Sequence, residues 1–296
     1  MKFTLVTLTA ALSVVSASPL AGRKDAATPA KLTTEPAKPA PTGAAYDWSE
    51  GWKASFPIHV SCNATLKRQL SDALGEAVEL AQHARNHLLR FGDKSEFKKK
   101  YFGNGSTAES VGWFDRITAA DKSAMLFRCD DPDRNCATQN NWAGHWRGKN
   151  ASEETVICRR SFEVRRPLNS VCNLGYTVAG SPLNTIWAVD LLHRLLHVPT
   201  ISEKVVDHYA DDYTSVLELA KKDPSKSAID SNALQYFAID VYAYDIAAPG
   251  VGCTGEPAKD AKKEKEPKAT TSAAPTPTQS AKKECHTHAD GVEHCV

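Results

Sequence analysis

Across residues 65–91 the apolar side chains Leu66, Leu70, Leu74, Ala77, Leu80, Ala81, Ala84 and Leu88 recur every three or four positions. That spacing gathers them on one broad face and predicts a long amphipathic helix, with Gly92 as its stop. A second helical pattern runs through Ile186, Trp187, Val189, Leu192, Leu195 and Leu196 and ends at Pro199, which cannot continue a helix. Further helices are predicted at residues 205–222 and 230–246, the latter ahead of Pro249-Gly250. Strand character is confined to short runs at 125–129 and 155–159, while 142–148 reads as a glycine-flanked aromatic hairpin or loop. The pattern predicts a mainly α protein with a small β component, of the α+β class.

The patterned region, 46–255, is long enough to bury a core. Its flanks differ in composition. Lys2, an apolar run over 3–15 and the small residues Val15-Ser16-Ala17 read as a signal peptide over 1–17. No later run reaches the roughly 18 apolar residues of a membrane span, so no membrane insertion is expected. Residues 18–45, rich in Ala, Pro, Thr and Lys, read as a flexible linker or propeptide, and 256–284 as a low-complexity tether. The last stretch, 285–296, is a separate His/Cys tail.

Lys and Arg number 36 against 35 Asp and Glu, a balance that removes nucleic acid as an expected partner. The eight cysteines, Cys62, Cys129, Cys136, Cys158, Cys172, Cys253, Cys285 and Cys295, fit an oxidising compartment and a disulfide-stapled fold. Cys129 and Cys136 are expected to close their own turn-rich loop, and Cys285 and Cys295 a small ring. Cys62, Cys158, Cys172 and Cys253 would then tie the ends to the middle. Acceptor sequences at Asn63, Asn104 and Asn150 point to N-glycosylation and, with the leader, to a secreted or extracellular protein.

Histidine carries the chemistry. His193 and His197 sit four residues apart on the second helix, so both imidazoles share a face, and a return segment brings Asp207, His208, Asp211 and Asp212. Two same-face imidazoles with a nearby carboxylate outline a divalent-metal site, with zinc the expected ion. In the peptidase motif H-E-x-x-H a glutamate follows the first histidine and activates the zinc-bound water. Here that position is Arg194, a permanent cation that cannot accept a proton. The tail places His286, His288 and His294 between Cys285 and Cys295, a candidate site for zinc or copper. His83 and His87 repeat the four-residue spacing on the first helix as candidate accessory ligands. His145, between Trp142 and Trp146, is a candidate lining residue of the metal cleft, and the run 98–100 reads as a solvated lysine face.

The motifs HARNH, RCDDPDRNCA, WAGHWRG, TVICRRSF, DLLHRLLHVP, VDHYADDY, DIAAPGVGC and the tail CHTHADGVEHC carry a resemblance. The chain resembles the fungal secreted zincophore or pH-regulated antigen family, which includes a major Aspergillus allergen. That family in turn resembles the deuterolysin-like (aspzincin) zinc metallopeptidases. The resemblance implies a deuterolysin-like zincin fold with zinc held by His193, His197 and Asp207. The glycine-threonine approach to that aspartate is Lys204-Val205 here, so His208 and Asp211 stay open as substitute ligands. It also implies capture of extracellular zinc for a plasma-membrane zinc transporter, an immunogenic surface antigen with cell-wall association, and contact with host proteins such as complement regulators. With Arg194 at the base position, the peptidase activity is not carried over. Two alternatives stand beside this reading. One is an active zinc metallopeptidase with a non-standard base such as Asp190; the other is a host-binding surface adhesin whose metal is structural.

Overall fold

Asn63 accepts the amide of Leu66 and so starts the longest helix, α1 (Ala64–Phe91), which the left-handed Gly92 ends. The computed structural model describes residue 47, residues 49–139 and 141–257, and the backbone of 285–287 and 293–295. The leader, the linker 18–45, most of the tether and His288 lie outside the described residues, as do the side chains of His286 and His294.

After α1 come α2 (Glu96–Phe102) and α3 (Thr107–Ala119), each capped by a serine hydroxyl, Ser95 and Ser106. A short mixed section holds β1 (Leu126–Arg128), α4 (Asn135–Thr138), β2 (Gly144–Trp146), β3 (Glu154–Ile157) and α5 (Arg159–Val164). The chain then turns helical again with α6 (Trp187–His197), α7 (Pro199–Ser202), α8 (Tyr213–Lys222), α9 (Pro224–Ser227) and α10 (Ser231–Tyr242). A π-turn, Ala243–Ala247, follows α10, and β4 (Cys285–Thr287) pairs antiparallel with β5 (Glu293–Cys295).

The expected mainly α architecture with a small β component is what forms. Helices α1, α6 and α10 pack on one another around the core. The face of α1 that the apolar spacing selected is its buried face. Helix α6 is buried from Trp187 to Leu196 and α10 from end to end, which accounts for apolar residues on all sides of both. Phe237 of α10 meets Phe102 and Phe114 at ring-centroid distances of 5.0 and 5.9 Å, joining α2 and α3 to that core. The small sheet has the order β1-β3-β2, with β3 parallel to β1 and antiparallel to β2. It places Trp146 of β2 beside the C-terminal end of α6. Among the described residues no helix is long and apolar enough to cross a membrane.

Three expectations need correction. Cys129 and Cys136 do not close their own loop: the described disulfides are Cys62–Cys129, Cys136–Cys158 and Cys172–Cys253. The cause is sheet geometry, because the segment before Cys62 runs beside β1. His59 donates to the Phe127 carbonyl at 2.8 Å and Phe127 to that of Pro57 at 3.0 Å, which brings Cys62 to Cys129. The lysine run is not a solvated face either. Lys98 is 3% exposed and reaches Asp93 at 2.8 Å, and Lys100 binds the buried Asp240 at 2.6 Å. Finally, the helix expected over 205–222 starts only at Tyr213, after Asp212 and Ser215 form a reciprocal cap. Residues 205–212 are a loop, and that loop shapes the site.

Candidate metal centre

His193 and His197 project from the last turns of α6. Pro199 opens α7 rather than merely ending α6, and beyond it Glu203 and Lys204 both adopt left-handed φ angles, 52° and 61°. This reversal sends the chain back past the helix end. The returning strand is pinned to the start of α10. Asp207 donates to the Ile229 carbonyl at 3.1 Å and accepts from the Ser231 amide at 2.9 Å. The Asp230 carboxylate, buried, accepts from the amides of Tyr209, Ala210 and Ala233 at 2.7, 3.1 and 2.7 Å. Asn232 adds a bond to the Ala210 carbonyl at 2.8 Å. Burial pushes the Asp230 carboxyl up to about 7, against the pull of those three amides.

Held in this way, the loop delivers His208 to the α6 pair. His197 Nε2 lies 3.2 Å from His193 Nε2 and 3.4 Å from His208 Nε2. Three ligand atoms of His193, His197 and His208 therefore converge within 4.8 Å of one another, with His193 buried and the other two half-buried. Tetrahedral zinc with Zn–N bonds of 2.0–2.1 Å holds its nitrogens about 3.3 Å apart. The donor set fits zinc in both spacing and kind.

Asp207, the third ligand that the aspzincin resemblance implied, stands outside this cluster. It is exposed, and its carboxylate accepts the amide of His208 at 2.8 Å. In an extended segment neighbouring side chains point to opposite sides, so a chain that aims residue 208 at α6 turns residue 207 away. Asp211 is exposed too, its amide bound to the Ser215 hydroxyl at 3.1 Å.

Two flanking residues tune the trio. Trp146 lies nearly parallel to His197, with centroids 6.1 Å apart and planes 13° from parallel. Gln235 Nε2 is 3.1 Å from His193 Nδ1, donating to it and leaving the ring proton on Nε2. A metal held through Nε2 would need that proton on Nδ1, where the Gln235 amide, presenting its oxygen, would accept it. Trp146 was marked in the sequence only as a neighbour of His145, and Gln235 was not singled out; a glutamine in an apolar helix is the one signal that pointed to the latter.

Arg194 is buried, and its Nε and Nη2 both donate to Asp190, one turn earlier, at 3.0 Å. Arg165 approaches the same carboxylate at 3.4 Å. Asp190, the candidate substitute base, is thus 3% exposed and engaged by two guanidinium groups. The Arg194 guanidinium lies under Gly144, where a Cβ would come within 3.0 Å of it and 2.4 Å of the Val156 carbonyl. Only glycine fits there.

The other candidates go elsewhere. His83 and His87 converge on Asp245, at 3.1 and 2.9 Å, and the second nitrogen of His87 meets Ser95 at 2.8 Å. His145 does not line the cleft; it turns to Asp133 at 3.3 Å, and burial lowers its pKa. Asn63, Asn104 and Asn150 are exposed, though the Asn150 amide also donates to Asp133 at 3.1 Å. Across the β4–β5 pair Cys285 faces Cys295 and His286 faces His294.

With this geometry in hand, the chain belongs to the HRXXH family, described as a "putative peptidase family", whose model matches residues 4–256. His193-Arg194-Leu195-Leu196-His197 spells its signature. Among curated proteins it is similar to major allergen Asp f 2 of Aspergillus fumigatus, 55% identical over 76% of this chain and 75% of the relative. It is also similar to pH-regulated antigen PRA1 of Candida albicans, 53% identical over 73% of this chain and 72% of that one. Protein ZPS1 of Saccharomyces cerevisiae is 36% identical, over 69% and 82% respectively. Among solved structures, a zinc peptidase from Grifola frondosa shares 15% identity at a TM-score of 0.44, covering 60% of this chain and 97% of its own.

Proposed function

We propose that the protein is a secreted zinc-capture protein, a zincophore, whose centre is His193, His197 and His208. The observation that carries this reading is the convergence of three imidazole nitrogens at zinc spacing beside an arginine in the base position. A zinc ion held there would be gripped without a neighbouring acceptor to activate solvent, since Arg194 holds no lone pair to offer and Asp190 is already ion-paired. Such a site suits capture and release. The tail histidines, His286, His288 and His294, would form a second site for zinc or copper, and a surface transporter would receive the cargo. Export, N-glycans at Asn63, Asn104 and Asn150, and antigenicity belong to the same reading, supported by antigen-named relatives.

Histidine ligands bind metal only when neutral, so uptake is strong at neutral or alkaline pH and falls as pH drops below about 6.5. Zinc titration of the full chain and of His193→Ala tests the reading. One tight site that the substitution removes supports it, and absence of any site tighter than millimolar at neutral pH overturns it.

The competing reading is a metallopeptidase, favoured by the family's description. Zinc-dependent hydrolysis of casein, abolished by His193→Ala, would establish it instead. Host-protein binding with a structural metal is distinguished by partner affinity that survives metal removal.

A further inference from the structure

On the other side of β2 from Trp146 lies a second gathering of ligand atoms. Cys136, on α4, and Cys158, where β3 runs into α5, form a disulfide with Cα atoms 5.6 Å apart. Both sulfurs and a ring nitrogen of His145 lie within 4.8 Å of one another. His145 is 2% exposed.

Its two nitrogens have different surroundings. Nε2 faces the Asp133 carboxylate at 3.3 Å, and that carboxylate also takes Arg147 Nε at 2.8 Å and Nη2 at 3.2 Å. A carboxylate held ionised by a guanidinium accepts only, so the imidazole proton sits on Nε2. Nδ1 is then a bare lone pair, and it is buried with no hydrogen-bond partner. Asp131 Oδ1 is a second buried acceptor without a donor, while its Oδ2 accepts from Ala137 at 2.9 Å. Asp131 also lies close enough to His145 to act on its charge. Unpaired buried acceptors are rare and call for a cation or a donor.

We propose that Cys136, Cys158 and His145 Nδ1, with Asp131 as fourth donor, form a redox-gated zinc site. In the oxidised chain the sulfurs are bonded to each other and are poor ligands. A dithiol reductant opens the site: its two S–H groups become a disulfide, two electrons pass to the Cys136–Cys158 bond, and two cysteine thiols form. Zinc then displaces both thiol protons to solvent and binds two thiolates, the usual partners of imidazole in structural zinc sites. Asp133 holds the His145 ring by its distal N–H, the carboxylate–histidine–metal arrangement that orients such ligands. The site is separate from the His193 centre and does not depend on it.

Cobalt(II) is the probe, because thiolate ligands give it a near-ultraviolet charge-transfer band that imidazole and carboxylate do not. The full chain carrying Cys285→Ser and Cys295→Ser, so that the tail offers no thiolate, is reduced with a water-soluble phosphine, which takes an oxygen from water as each disulfide becomes two thiols. The reduced chain is expected to bind one more cobalt per chain than the oxidised one, with the thiolate band. That band should persist in His193→Ala and weaken at least tenfold in affinity in His145→Ala. No added band on reduction, or an undiminished one in His145→Ala, overturns the site. A second measurement needs no variant: zinc should protect Cys136 and Cys158 of the reduced chain from alkylation, but not Cys62, Cys129, Cys172 or Cys253. Equal protection of all six, or of none, overturns it as well.

Discussion

Two helices of this protein carry histidines four residues apart, and the two pairs do opposite things. On α1, His83 Nε2 and His87 Nδ1 meet one carboxylate oxygen of Asp245, and His87 Nε2 meets the Ser95 hydroxyl. That pair is matched by a fixed acceptor and latches α1 to the turn after α10. On α6, His193 and His197 face another imidazole, His208, so nitrogen stands against nitrogen. Lone pairs so placed need a proton or a cation between them. The spacing is identical, and what decides the use is the third group that the fold brings in. An aspartate makes a clasp; a histidine makes the metal centre we propose.

The comparison breaks most visibly if the third group is removed. His208→Ala is expected to weaken zinc binding at the core by at least a hundredfold, about 2.7 kcal/mol, while Asp207→Ala changes it less than threefold. Competition with a chromophoric chelator, on chains also lacking the three tail histidines, reads both. A large loss in Asp207→Ala with none in His208→Ala would restore the aspartate as ligand.

The α1 pair should respond in stability rather than in metal affinity. His87→Ala removes a buried ring joined to Asp245 and Ser95 and should cost about 2 kcal/mol in urea unfolding. Zinc affinity of the α6 centre should stay within twofold. If His87→Ala instead removes a zinc equivalent without loss of stability, the clasp is a metal site.

The sharper test lies in the outer partner. Gln235→Leu keeps the shape of the pocket but deletes the amide beside His193 Nδ1, and zinc affinity should fall about tenfold. Gln235→Glu, which supplies a carboxylate acceptor, should recover it. No change in either would mean that His193 needs no orienting partner.

Much of this contrast was legible in the residues and part was not. The 3.6-residue periodicity marked α1 and α6, since buried helices leave that trace in any sequence. The histidine pairs followed from it. What faced each pair was hidden, because Asp245 lies 158 positions beyond His87. For α6 the difficulty was one of phase. Residues 207 and 208 are neighbours, and extended backbone sends one inward and the other outward. Which is which depends on the turn at Glu203 and Lys204, two left-handed positions without a glycine to announce them. The disulfides were hidden for a related reason, since Cys62 meets Cys129 only once β1 has found the strand-like segment at 57–59.

The smallest effect concerns the anchor of the His208 loop. Burial raises the Asp230 carboxyl from about 3.8 to about 7 in the folded chain. Between those values the folded protein keeps a proton that the unfolded chain has released, so stability falls as pH rises across that window and is flat above it. Asp230→Asn retains the fold of the loop in part but has nothing to titrate. The stability difference between the parent and this variant should therefore shrink by on the order of 2 kcal/mol from pH 5 to pH 7.5. Histidine binds metal only when neutral, so zinc uptake should rise with pH as the anchor becomes an anion. Urea unfolding of both chains at the two pH values reads the first part. A difference that does not vary with pH would show Asp230 ionised throughout, its three amide donors outweighing burial, and the loop would then be held equally at every pH at which zinc binds.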